Sequence, residues 1–127
     1  MVILLTDDSR PTRNLIKNYL SDLDVGSPIH FLEAENGEMA YDAVKKQKID
    51  FILLDWNLST RMTGLDVLKE IRKLEHYKNV PIIMVTSEGD KINVIEALKC
   101  GANDFIVKPI AQKPFMEKVL KHIVGLK

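Results

Sequence analysis

The sequence predicts a doubly wound α/β domain, with five parallel strands in one sheet and helices on both faces. Two observations carry this. Short apolar runs alternate five times with longer amphipathic segments, the pattern of repeated strand–helix units. The runs are also continuously apolar rather than alternating, as strands buried on both faces of a parallel sheet require.

The first strand is VILLT (2–6). The helix after it sets Leu15, Ile16, Tyr19, Leu20 and Leu23 at helical spacing, with Ser9 as N-cap and Pro11 tolerated in the first turn. The second strand is IHFLEA (29–34). Its helix begins near Asn36 and runs through Ala40, Ala43 and Val44 to KKQK, a solvated end favoured by the helix macrodipole. The third strand is DFILLDWN (50–57), followed by a helix that starts after Thr63–Gly64 and stripes Leu65, Leu68, Ile71 and Leu74. The fourth is PIIMVTS (81–87); its helix carries Ile92, Ile95 and Leu98 and stops at Gly101. The fifth is DFIVKP (104–109), and the last helix places Phe115, Val119, Leu120 and Ile123 on one face.

A chain of 127 residues, 46% of them hydrophobic, fits one domain (1–127) with one core. A formal net charge of zero argues against nucleic acid or anionic membrane as a partner through bulk electrostatics. Cys100 is the only cysteine, so it cannot form an internal disulfide, and it reads as a small packed hydrophobe. No signal-peptide pattern opens the chain, and no apolar run is long enough to span a bilayer. A cytoplasmic monomer is expected. His30, His76 and His122 are scattered and suggest no metal or catalytic role.

In a parallel sheet every strand's C-terminal end lies at one edge, and ligands bind beyond that edge. Here the strands end in Asp7–Asp8, Asp55–Trp56–Asn57, Thr86–Ser87 and Lys108–Pro109. Clustered carboxylates either force one another to protonate or bind a hard cation. An oxygen-lined site of this kind suits Mg²⁺. Thr86 and Lys108 add a hydrogen bond and a positive charge, a combination that suits a transferred phosphoryl group. Asp55, at the centre, can act as nucleophile and form an aspartyl phosphate. Each residue also has a plainer reading. Asp7 and Asp8 can serve a helix N-terminus, Thr86 can be a strand-end hydroxyl, Lys108 a surface lysine, Phe105 core, and Trp56 a packed loop residue. Their convergence favours a site.

Four segments, LTDDS (5–9), LLDWN (53–57), MVTSE (84–88) and CGANDFIVKP (100–109), resemble in this order the receiver domains of response regulators. The likeness covers essentially the whole chain and is strongest to the stand-alone chemotaxis type. It implies a flavodoxin-like (βα)5 fold with strand order 2-1-3-4-5, an order known from that family and not fixed by element spacing. It implies that Asp55 is the phosphoacceptor, that Asp8 ligates Mg²⁺ with Asp7 beside it through water, and that the backbone carbonyl of Asn57 completes the protein ligands. Thr86 and Lys108 would contact the phosphoryl group, and Thr86 and Phe105 would move on activation. Asn57 and Glu88 would tune the phosphoryl lifetime. The Lys108–Pro109 bond would be cis, at a cost of about 0.5–1 kcal/mol for an X–Pro bond.

The implied partners are a histidine kinase as donor and a downstream protein, such as a flagellar motor switch, or a phosphatase. They would meet the face built by the fourth helix, fifth strand and fifth helix. The implied role is a phosphorylation switch with autodephosphorylation and no turnover of an external substrate. No output domain follows residue 127, which favours a stand-alone regulator over a domain cut from a longer one. A phosphorelay intermediate, a phosphate sink and an interaction module without chemistry are the alternatives within the class. An aspartate-nucleophile phosphatase of the haloacid dehalogenase type is a further alternative, but that type needs a second Asp where Asn57 stands. The chain departs from its relatives in the loop DWNLSTRMTG, where Ser59 replaces a proline and Gly64 lies one residue further from Asp55. Arg61 in that loop is within reach of the pocket mouth, and Phe105 lacks the hydroxyl of a tyrosine.

Overall fold

The computed structural model describes residues 1–58, 61–87 and 91–123. Strands and helices alternate along it: β1 (Val2–Thr6), α1 (Arg10–Leu20), β2 (His30–Ala34), α2 (Gly37–Lys46), β3 (Phe51–Asp55), α3 (Gly64–Arg72), β4 (Ile82–Thr86), α4 (Lys91–Lys99), β5 (Asp104–Val107) and α5 (Gln112–Ile123). A single 3-10 turn sits at Glu75–Tyr77. Three helices start where a side chain takes up a backbone N–H that the first turn leaves unpaired. Ser9 accepts from Thr12 N, Asn36 from Met39 N, and Thr63 forms a reciprocal box with Asp66. Gly101 follows α4 at φ +110, a conformation that costs glycine little.

The five strands are parallel in the order β2-β1-β3-β4-β5, as expected. The central strands β3 and β4 are buried throughout, and the edge strands β2 and β5 are partly exposed. The edges are also the less apolar in sequence, with His30 and Glu33 on β2 and Asp104 on β5. Because successive strand residues point to opposite faces, each central strand feeds two layers. Leu4, Ile52, Leu54, Ile82 and Met84 meet Ala40, Val44, Val67, Leu68, Ile71 and Ala97 on one face. Ile3, Leu5, Phe51, Leu53, Ile83 and Val85 meet Ile16, Leu20, Phe115, Val119 and Ile123 on the other. The expected single core is therefore two layers split by the sheet. Each fully buried Leu or Ile contributes about 1.5–3 kcal/mol.

Three stripes differ from expectation. On α4, Ile95 is 56% and Leu98 43% exposed, and Ala97 is the buried residue instead. A small side chain lets the helix approach the sheet, so the large apolar residues beside it turn outward. Leu15 on α1 and Leu120 on α5 are also exposed, because their neighbours Ile16 and Val119 occupy the sheet-facing positions. The Ile92 side chain lies outside the described set. No helix of the described residues is long and apolar enough to cross a membrane.

Candidate functional site

The site is assembled where β1, β3, β4 and β5 end. Asp7 N donates to Ala34 O at 3.1 Å, which carries the β1–β2 ladder one residue past the strand. Asp7 Oδ1 accepts from Ser9 N at 2.8 Å. Its Oδ2 is buried and lies 3.3 Å from Lys108 Nζ, an ion pair by distance but without hydrogen-bond geometry. Asp8 is exposed. Asp55 is 2% exposed; its Oδ1 accepts from Asn57 N at 3.2 Å and its Oδ2 from Lys108 Nζ at 3.2 Å.

The strand ends are held by backbone. Trp56 N donates to Val85 O at 2.8 Å, and Gly64 N donates to Trp56 O at 3.0 Å. A Cβ on Gly64 would lie 2.3 Å from Asp55 O and 2.7 Å from Trp56 Cα. Only glycine lets α3 begin this close to the end of β3. Lys108 N donates to Thr86 O at 2.7 Å, and the Lys108–Pro109 bond is cis, as expected. Lys108 thus leaves the end of β5, is held to β4, and reaches across to β1 and β3.

Carboxylate oxygens of Asp7, Asp8 and Asp55 all lie within 4.8 Å of one another. One ammonium pairs with two of these three acids, so the electrostatics favour a further cation. Burial, and then the charge of Asp7, push the Asp55 carboxyl up to about 6, against the opposing pull of Lys108 and of the Asn57 N–H. Burial lowers Lys108, but the Asp55 and Asp7 charges outweigh it and its pKa is raised. A buried carboxylate oxygen without a hydrogen bond, beside two more carboxylates, fits Mg²⁺, which prefers hard oxygen ligands. The adjacent acids after β1 thus make sense as half of a cation site.

Thr86 is 2% exposed and follows Val85, the residue paired with Asp55 across β3 and β4. Its Oγ1 donates to Ser87 O at 3.5 Å. Asn57 is exposed, and its amide reaches Ser87 Oγ at 3.5 Å. Phe105 is half-buried on β5, against the layer shared with α3 and α4. Lys118 Nζ stands 4.1 Å from its ring centroid and donates to its carbonyl. Asp104 ties the same region to α5, with His122 Nε2 at 3.0 Å and Lys118 Nζ at 3.4 Å. Arg61 is exposed and, among the described residues, forms no ion pair with the pocket acids. Glu88 and Ser59 lie outside the described residues.

Arg13 is a site neighbour that the sequence reading missed. Its guanidinium donates to Asp7 O and to Glu33 Oε1. A signal existed: Arg13 sits three and seven residues before Ile16 and Leu20, so it shares their buried face of α1. A charged residue in that phase asks for a buried partner.

A family model described as the response regulator receiver domain matches residues 3–120. The chain belongs to this family. Among its relatives, the chemotaxis protein CheY homolog of Campylobacter jejuni is 41% identical over 126 residues, covering 98% of this chain and 93% of that protein. Chemotaxis protein CheY1 of Helicobacter pylori is 42% identical over 120 residues and 94% of each chain. Among solved structures, Vibrio cholerae chemotaxis protein CheY4 superposes with a TM-score of 0.81 at 28% identity, covering 95% of this chain and 97% of that one. The receiver domain of NtrX from Brucella abortus gives 0.83 at 28% identity, covering 96% and 98%. This receiver domain is thus part of a two-component response regulator, and its CheY relatives support a chemotaxis role. Receiver domains bind Mg²⁺ at an acidic pocket, which the Asp7, Asp8 and Asp55 group matches. Membership also implies a histidine kinase partner and a downstream target.

Proposed function

We propose that this receiver domain takes a phosphoryl group onto Asp55 from the phosphohistidine of a histidine kinase, and that the change alters binding at the α4–β5–α5 face. The observation that carries the reading is one buried carboxylate, Asp55, flanked by two acids and bridged by Lys108. A carboxylate oxygen of Asp55 attacks phosphorus, and the new P–O bond forms as the P–N bond to the donor breaks. The electron pair leaves with the imidazole nitrogen, which takes a proton from water. Asp8 and Asp55, with the carbonyl of Asn57, would hold Mg²⁺, and Asp7 would act beside them through water. When bound, the ion supplies positive charge to the acidic pocket and to the phosphoryl oxygens.

This chain's own residues do the rest. With a pKa of about 6, Asp55 is mostly ionised at neutral pH and so available as nucleophile. Lys108 can move from the Asp55 carboxylate to the phosphoryl oxygens without leaving the pocket. Thr86, on the adjacent strand end, can turn its hydroxyl to the phosphoryl group. Phe105 can then move relative to the core, and a target with different affinity for the two arrangements reads the state. Ile95, Leu98 and Val107 are exposed on α4 and β5 and supply apolar area for such a contact in chemotaxis or motility. Asn57 cannot exchange a proton as a second acid would, so no turnover of an external phosphomonoester is expected. Trp56, the sole tryptophan and the neighbour of Asp55, reports on the pocket. Its fluorescence should respond to Mg²⁺ in both wild type and Asp55→Asn, and to acetyl phosphate afterwards only in wild type. A donor response that is the same in both proteins would sink the proposal.

A further inference from the structure

Arg13 is 3% exposed, on the sheet-facing side of α1, one turn before Ile16 and two before Leu20. Nε donates to Glu33 Oε1 at 3.0 Å, Nη1 donates to Asp7 O, and Nη2 lies 3.9 Å from Glu35 Oε1. Lys17 Nζ meets the other oxygen of Glu33 at 3.0 Å. An apolar side chain here would pack against Ile16 and Leu20 without the cost of burying a charge. Packing alone therefore gives no reason for a guanidinium.

Asp7 supplies the reason. Of its four polar groups, the N–H is tied to Ala34 O, the carbonyl to Arg13, and Oδ1 to Ser9 N. The fourth, Oδ2, faces the acidic pocket without a hydrogen bond, 3.3 Å from Lys108 Nζ. The carbonyl that Arg13 holds belongs to the peptide linking Asp7 to Asp8. A turn of that peptide would swing both acids at once. Glu33 sits on β2 at the register position facing Leu5, so Arg13 anchors this peptide to the sheet.

We propose that Arg13 is a positioning residue for the acid pair: by bracing the Asp7–Asp8 peptide against Glu33 on β2, it sets the carboxylate arrangement on which cation binding depends. The inference rests on the reading of Asp7, Asp8 and Asp55 as a Mg²⁺ site. Groups that orient metal ligands from behind typically change metal affinity about 10- to 100-fold when removed. The sign is informative. Deleting a positive charge beside an acidic site tightens cation binding by Coulomb attraction alone. A loss of affinity therefore reports orientation rather than charge.

The test titrates the full chain with Mg²⁺ by calorimetry and follows urea unfolding in parallel, for wild type, Arg13→Met, Arg13→Lys and Glu33→Gln. The expected result is about tenfold weaker binding in Arg13→Met. Arg13→Lys, a single-point donor, should recover part of the affinity. Glu33→Gln, which leaves Arg13 in place but loosens its anchor, should also bind more weakly, and because losing its negative charge acts in the same direction, orientation is read from the loss in the Arg13 variants. Wild-type or tighter affinity in Arg13→Met, whatever its stability, would overturn the inference. If Arg13→Met does not fold, unchanged affinity in both other variants would overturn it. A wild-type chain that binds no Mg²⁺ would instead overturn the site reading, and the inference with it.

Discussion

Lys108 Nζ stands 3.2 Å from Asp55 Oδ2, and the same ammonium lies 3.3 Å from Asp7 Oδ2. One partly exposed cation therefore serves two carboxylates that are each 2% exposed and that end different strands. Lys108→Met would leave those acids facing each other. Breaking a buried pair in this way costs about 3 kcal/mol or more. The loss should appear in urea unfolding at pH 7 in the absence of divalent cations and shrink toward pH 4, below the value of about 6 for the Asp55 carboxyl. Equal losses at both values would contradict the arrangement.

Asp55 gives a pH dependence of opposite sign to an ordinary paired carboxylate. Its folded value of about 6 lies above the usual 3.8. As pH rises from about 4 to about 6, the unfolded chain releases this proton first, so folding loses stability and the penalty is complete above about 6. Asp55→Asn removes that penalty. It should stabilise the metal-free protein at pH 7 by on the order of 2 kcal/mol and have no such effect below pH 4. Thermal unfolding at the two pH values checks this, and a destabilised Asp55→Asn protein at pH 7 would refute it.

Asp104 behaves the other way. Burial raises its carboxyl, but hydrogen bonds from His122 and the Phe105 N–H, with Lys118 nearby, outweigh burial and hold it below the usual value. Its contribution is present above pH 3.8 and lost as pH falls through the lower folded value. Asp104→Asn should cost about 1 kcal/mol at pH 7, with the difference from wild type vanishing in strong acid. A pH-independent cost would mean that packing, not charge, is at work.

Gly64→Ala tests the close approach of α3 to β3. The added Cβ would meet Asp55 O and the Trp56 backbone, neither of which can yield without moving the acid. A stability loss of about 3 kcal/mol is expected, at the upper end for overpacking, with a changed Trp56 emission. A neutral substitution would show that the strand end is softer than its geometry implies.

The five strands and the convergence of Asp7, Asp8, Asp55 and Lys108 were legible because both follow from pattern. Continuous apolar runs mark buried parallel strands, and parallel strands bring their ends to one edge. The cap at Ser9, and helix starts near Asn36 and Thr63–Gly64, were legible because such signals are local. Arg13 and Glu33, or Asp104 and His122, pair across elements far apart in sequence, and no local rule names such partners. The outward turn of Ile95 and Leu98 was hidden for a different reason. Periodicity shows that α4 has an apolar stripe, but not that small Ala97 is the residue that meets the sheet.

The most direct measurement is mass spectrometry of the protein after exposure to acetyl phosphate, with and without Mg²⁺, on wild type and Asp55→Asn. The account predicts one acid-stable, base-labile phosphoryl group on the peptide containing Asp55, formed only with Mg²⁺ and absent from Asp55→Asn. A phosphoryl group on another residue, or none on wild type at saturating donor and Mg²⁺, would contradict it.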